Sequence, residues 1–219
     1  MISHTHRCIF VHIPKTGGTS LEDILWPASP LRHVSDLWMG FVDGFHNKYQ
    51  TGGLQHLLAK QVRLEVGAGI FSDYYRFSIV RNPWDKAVSQ FVYMSRRNDL
   101  QDFLGMSSTA GFKTYLDLIS RKRHVQWMPQ IDFLLDDDGQ TLVNYIGRYE
   151  TYRRSVADIL TALGLDPNIQ VPHANRSDRG VYQDYYDDES QQMVASLYAA
   201  DIAHFGYRYE GIAEARQQR

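Results

Sequence analysis

Cys8-Ile9-Phe10-Val11-His12-Ile13-Pro14-Lys15-Thr16-Gly17-Gly18-Thr19-Ser20-Leu21 is the stretch on which the reading of this chain turns. Residues 8–13 form an apolar, β-branched run, the pattern of a strand buried on both faces. Pro14 stops it, a glycine pair follows, and Leu21, Ile24 and Leu25 repeat at i, i+3 and i+4, the spacing of an apolar helix face. The order is strand, glycine turn, helix. Glycines remove the Cβ atoms that would block close backbone approach, and the helix start offers unpaired N–H groups at its partially positive end. An anion fits there, with Lys15 adding a mobile charge and Thr16, Thr19 and Ser20 adding hydroxyl donors. A plain strand-to-helix turn capped by Thr or Ser uses the same residue types, so spacing must separate the kinds of site. A Walker A loop reads G-x-x-x-x-G-K-[ST], whereas here Lys15 precedes the glycines and no lysine follows them. This counts against an ordinary nucleotide triphosphatase.

The same order recurs downstream. Residues 74–80 read as a second buried strand stopped by Arg81-Asn82-Pro83, and Val88, Phe91 and Val92 follow at helical spacing. Arg81 at the strand end can hold a phosphate with two parallel N–H bonds, and Ser89 on the next helix can complete the grip; a plain ion pair is the other use of such an arginine. Helices are predicted over 54–66 and 112–119, and a short strand over 142–146. A helix carrying Val156, Ile159, Leu160 and Leu163 is closed by Gly164, and a last one carrying Met193, Val194 and Leu197 is capped by Asp187 or Asp188. Asp136-Asp137-Asp138-Gly139 reads as a solvated turn, since it lacks EF-hand spacing. Pro27 and Pro30 end the first helix, and 28–53 reads as a long excursion over a site, whose Trp38, Phe41, Phe45 and Tyr49 suit stacking on sugar faces as well as core packing. Alternating strands and helices predict an α/β domain with a mostly parallel sheet, and both turns fall at strand carboxyl ends, where such sheets bind ligands. No Pro/Ser linker divides the chain, so 1–219 is expected to be a single domain.

Composition narrows the classes. The chain has 219 residues, 43% hydrophobic and 22% charged, which excludes disordered and fibrous architectures. Its 23 basic and 25 acidic side chains leave a net charge of −2, so bulk attraction to nucleic acid or to an anionic membrane is not expected and any basic site is compact. Cys8 stands alone and forms no intrachain disulfide. No run of about 18 apolar residues occurs, and the run at 8–13 is too short for a signal segment, so a soluble, cytoplasmic protein is expected. His4-Thr5-His6 is read as a frayed terminus rather than a metal site.

The segments 14–20 and 77–89 resemble the 5′-phosphosulfate loop and the 3′-phosphate segment of sulfotransferases, in the expected order. The likeness is greatest to the carbohydrate branch that includes heparan 2-O and chondroitin enzymes and bacterial relatives. It continues through Pro129-Gln130, Ile146-Gly147-Arg148-Tyr149-Glu150, His173-Ala174-Asn175-Arg176-Ser177, Tyr185-Tyr186 and Asp201 to Phe205-Gly206-Tyr207. The resemblance implies a P-loop NTPase-like three-layer α/β fold with helices flanking a central mostly parallel sheet. It also implies 3′-phosphoadenosine 5′-phosphosulfate as sulfuryl donor, with no metal required. Lys15, Thr16, Gly17, Gly18, Thr19 and Ser20 would hold the 5′ end, Arg81 and Ser89 the 3′-phosphate, and Arg176 or Arg179 would lie on the loop that closes over the donor. Lys86 stands where the family often has arginine, which keeps the charge without the fork and leaves a secondary contact.

Sulfuryl transfer needs in-line attack, stabilisation of charge on the leaving oxygen, and a base for the acceptor proton. Lys15 suits the second task. His33, His46 and His56 are candidates for the base, and His56, 25 residues before Arg81, matches the family's catalytic histidine best. A structural histidine on a helix is the plainer reading of His56, and Glu22 is the alternative base by analogy with branches that use a glutamate. The expected acceptor is a carbohydrate or glycoconjugate hydroxyl. The competing readings are a nucleotide-dependent kinase on a similar sheet and a catalytically silent nucleotide- or glycan-binding module.

Overall fold

A computed structural model describes residues 1–25, 56–170 and 180–212, so the excursion at 28–53 with its aromatics lies outside the described residues. Two compact units emerge, one from Met1–Val80 and His124–Arg176, the other from Arg81–Arg123 and Ser177–Arg219, so far as these are described. The chain passes from the first to the second directly at Val80–Arg81, which is why no linker composition marks the boundary.

The first unit is built on four strands in the order β1 (Ile2–Ser3), β2 (Cys8–Phe10), β3 (Tyr75–Val80) and β4 (Tyr145–Arg148). β1 runs antiparallel to β2, and β2, β3 and β4 are parallel neighbours, giving a mixed α/β fold with a mostly parallel sheet. Phe10 pairs with Phe77 and Val80 with Arg148. Side chains alternate across a strand, and Cys8, Phe10, Phe77 and Ile79 share one buried cluster with Leu21 and Leu25 of α1 (Gly18–Leu25) and with Val156, Ile159 and Leu160 of α6 (Tyr152–Ala162). Ladder pairing of β2 stops at Phe10, short of the predicted 8–13. Beyond it Val11 still donates its N–H to Phe77, and the Ser78 hydroxyl donates to the Val11 carbonyl at 2.7 Å, so the chain leaves the sheet while its polar groups stay satisfied.

α2 (Ala59–Asp73) starts later and runs further than the predicted 54–66. Leu58 is extended, and its N–H donates to the Gln61 side chain at 2.8 Å, so the first turn is organised around residue 58. Gly67, at φ +79°, breaks the helix internally. β4 lies about three residues beyond the predicted 142–146: the Asn144 side chain accepts from Arg76, and Leu142 donates instead to the Leu134 carbonyl. α6 then packs closely on β4, with the Ser155 hydroxyl accepting from Arg148 N–H at 2.8 Å and donating to its carbonyl at 3.0 Å.

The second unit contains α3 (Pro83–Met94), α4 (Asn98–Leu104), α5 (Phe112–Arg121), α7 (Asp188–Leu197), α8 (Ala199–Phe205) and a hairpin of β5 (Tyr207–Arg208) and β6 (Gly211–Ile212). Asp187 caps α7, accepting from Ser190 N–H at 2.7 Å. Trp84 links α3 to α7 by donating Nε1–H to the Gln191 carbonyl at 3.0 Å, and the Tyr186 hydroxyl donates to the Trp84 carbonyl at 2.8 Å. No helix among the described residues is long and apolar enough to cross a membrane.

The α6–β4 contact makes a direct prediction. A Cβ on Gly147 would stand 2.7 Å from the Ser155 Cβ, so Gly147→Ala should lower the unfolding free energy by about 1–3 kcal/mol, read from the urea midpoint at unchanged slope.

Candidate active site

The loop after β2 is shaped by its own backbone. Lys15 has φ +66° and Gly17 φ +87°, and left-handed geometry is uncommon for a residue with a side chain. The hydroxyl of Thr16, fully buried, donates to the Ile13 carbonyl at 2.9 Å and closes the turn. Thr16 was expected to offer that hydroxyl to an anion; its one hydroxyl proton is instead used inside the loop, which leaves its backbone as its contribution. Gly18 opens α1, followed by Thr19 and by Ser20, which is buried.

Position 18 must be glycine for a packing reason. A Cβ there would overlap the His12 imidazole. His12 Nδ1 lies 2.6 Å from Glu22 Oε1, with both side chains almost wholly enclosed. On the other side of the loop a Cβ at Gly17 would stand 2.8 Å from the Tyr152 ring and 3.1 Å from that of Tyr149, and the Tyr152 hydroxyl donates to the Gly17 carbonyl at 2.6 Å.

His56 lies before α2 rather than on a helix, and it is buried. Its Nδ1 is 2.9 Å from the His12 carbonyl, and a carbonyl only accepts, so Nδ1 carries the proton and the neutral ring holds its lone pair at Nε2. The two imidazoles meet edge to face with centroids 4.7 Å apart. Burial, then the neighbouring His12, pushes His56 down to about 3, while the backbone acceptor and Glu22 pull the other way. Glu22, the alternative base, is committed to His12. His33, His46, Arg176 and Arg179 lie outside the described residues.

The other expected residues belong to the second unit. Arg81 is the residue directly after β3; it is buried, and its Nε–H donates to Asp85 at 2.7 Å, one turn along. Asn82 caps α3 by accepting from Trp84 N–H at 3.0 Å, with Pro83 in the first turn, and its amide donates to the Arg208 carbonyl at 2.8 Å, tying the helix start to β5. Ser89 is buried on α3. Lys86, expected as a secondary ligand contact, is only 2% exposed; its ammonium lies over the Tyr198 ring at 5.5 Å. Burial pushes it down to about 8 against the upward pull of Asp201.

Sequence reasoning passed over His12, Tyr149 and Tyr152 as site residues. His12 was legible in principle, as a polar residue within an apolar strand run next to the glycine turn. Tyr152 carried no local signal, because 135 residues separate it from Gly17. Among the described residues, no group of three or more His, Cys, Asp or Glu side chains is placed to hold a metal ion.

The sulfotransferase family model matches residues 1–208, nearly the whole chain. The chain belongs to the sulfotransferase family. An uncharacterised protein of Archaeoglobus fulgidus is 26% identical over 113 residues, which cover 52% of this chain and 87% of that protein. No solved structure matches. Family membership supports sulfuryl transfer, and with it an acceptor that bears a hydroxyl.

The enclosed His56 of this sulfotransferase-family protein predicts a pH dependence of stability. The folded ring stays neutral down to about pH 3, while the unfolded ring binds a proton below its ordinary 6.5, so stability is lost as pH falls through that window. His56→Asn, whose amide can still donate to the His12 carbonyl, should reduce the loss between pH 7 and pH 5 by about 2 kcal/mol in urea unfolding, at about 1.4 kcal/mol per unit.

Proposed function

We propose that this sulfotransferase-family protein takes a sulfuryl group from 3′-phosphoadenosine 5′-phosphosulfate and transfers it to a hydroxyl of a carbohydrate or glycoconjugate acceptor. The observation that carries the reading is the loop at 14–20. It joins a strand of a mostly parallel sheet to α1 through two residues of positive φ, in a chain that belongs to the sulfotransferase family. The geometry suits a bound anionic group: side chains are absent at 17 and 18, the first N–H groups of an eight-residue helix begin there, and Lys15 supplies full charge. We read the fold as P-loop NTPase-like and 1–219 as one sulfotransferase domain, in keeping with the parallel order of β2, β3 and β4.

In this reading Lys15, Thr16, Gly17, Gly18, Thr19 and Ser20 hold the 5′ end of the donor. Arg81 and Ser89 hold its 3′-phosphate, and Arg176 or Arg179 adds a contact. The donor supplies a sulfuryl group on a good leaving group. Lys15 and the first N–H groups of α1 stabilise negative charge as it develops on the leaving oxygen. His56 accepts the acceptor's proton at Nε2, the nitrogen that carries its lone pair. In the protein alone its basicity is low because burial disfavours the imidazolium; negative charge brought beside it raises that basicity. No metal is required for these steps.

Calorimetric titration with 3′-phosphoadenosine 5′-phosphate, alongside ATP with magnesium, tests the donor class without an acceptor. Binding of the bisphosphate alone is the expected result, and binding of ATP alone would replace this reading with a kinase. Lys15→Ala and Arg81→Ala should each weaken bisphosphate binding by about tenfold or more, since each removes charge-assisted bonds. His56→Asn should keep that affinity while turnover falls about 100-fold or more; unchanged turnover would move the base elsewhere.

A further inference from the structure

The carbonyl of Gly17 and the N–H of Gly18 belong to one peptide unit, and in a trans peptide the two point in opposite directions. Fixing the carbonyl therefore fixes where the N–H aims. Glycine on its own holds that plane poorly, because without a Cβ it adopts left- and right-handed conformations about equally well. In this protein the Tyr152 hydroxyl donates to the Gly17 carbonyl at 2.6 Å, and its ring occupies the space a Cβ would take. The Gly18 N–H, the first of α1, is thereby turned to the side opposite Tyr152.

Tyr152 is itself well held. It is the first residue of α6, whose Val156, Ile159 and Leu160 pack in the cluster that contains Phe10 and Leu21, and its ring meets that of Tyr149 at 5.8 Å. Burial raises the phenol well above its ordinary range, so it stays a donor at any working pH.

We propose that Tyr152 is a positioning residue of the donor site: by holding the Gly17 carbonyl it aims the Gly18 N–H at the 5′ anionic group of the donor. The inference rests on the donor reading above. It assigns Tyr152 no part in proton transfer and no contact with the donor; its effect passes through one peptide plane.

Tyr152→Phe keeps the ring and its packing and removes only the hydroxyl. Wild type and variant are titrated with 3′-phosphoadenosine 5′-phosphate and, in parallel, with adenosine 3′-phosphate, which lacks the 5′ anion. The expected result is a loss of about tenfold for the bisphosphate with adenosine 3′-phosphate unaffected, the size of one well-made hydrogen bond. No loss for the bisphosphate, or an equal loss for both ligands as a merely structural role would give, overturns the assignment of Tyr152. If the wild type fails to bind the bisphosphate, the donor reading itself falls, and the two failures are told apart in one experiment.

Discussion

Residue 18 cannot carry a side chain, because the His12 imidazole fills the space where its Cβ would stand, and the first unit is arranged around that contact. With the ring seated against the first residue of α1, Glu22, one turn further on, reaches His12 Nδ1 at 2.6 Å. The main chain of the same residue receives the Nδ1–H of His56. A buried carboxyl group without a polar partner is costly, and the His12 imidazole gives Glu22 such a partner inside the protein. Two histidines and a carboxylate are thus collected beside a helix N-terminus by a missing methyl group.

The glycine loop is held from both ends by hydroxyl groups. Thr16 closes it onto Ile13 from within, and Tyr152 fixes it from α6. Neither hydroxyl is left to the chemistry its residue type first suggests. Each is used on a backbone carbonyl, Thr16 on that of Ile13 and Tyr152 on that of Gly17, so both hydroxyls go to shaping the loop. The second unit follows a related logic at the start of α3, where Arg81 is braced by Asp85, Asn82 caps the helix and reaches the Arg208 carbonyl, and Lys86 is enclosed with Tyr198 and Asp201. Trp84, Tyr186 and Tyr209 pack around this start edge to face, ring against ring, and stiffen it without adding charge.

Where local pattern and structure part, specific hydrogen bonds decided the outcome, one of them long-range and one local. β4 begins at Tyr145 because its register against β3 is set by pairing from Phe77 to Val80, whereas Leu142 is drawn to Leu134. α2 begins at Ala59 because Leu58 stays extended and Gln61 takes its N–H, although apolar spacing carries on upstream. β1 and the β5–β6 hairpin have two residues in each strand, too few for alternation to register.

The sequence by itself determined the strand, glycine turn and helix at 8–25, its repetition at 75–94, and residue types that accord with the sulfotransferase family. These signals are local, since proline, glycine pairs and apolar spacing act on chain neighbours. Tertiary structure alone decided that Glu22 faces His12, that His56 carries its proton on Nδ1, that Lys86 is enclosed, and that Tyr152 grips Gly17. Each of these depends on where distant or successive elements come to lie, and on burial that removes water as the competing partner. No pattern of neighbours along the chain encodes that.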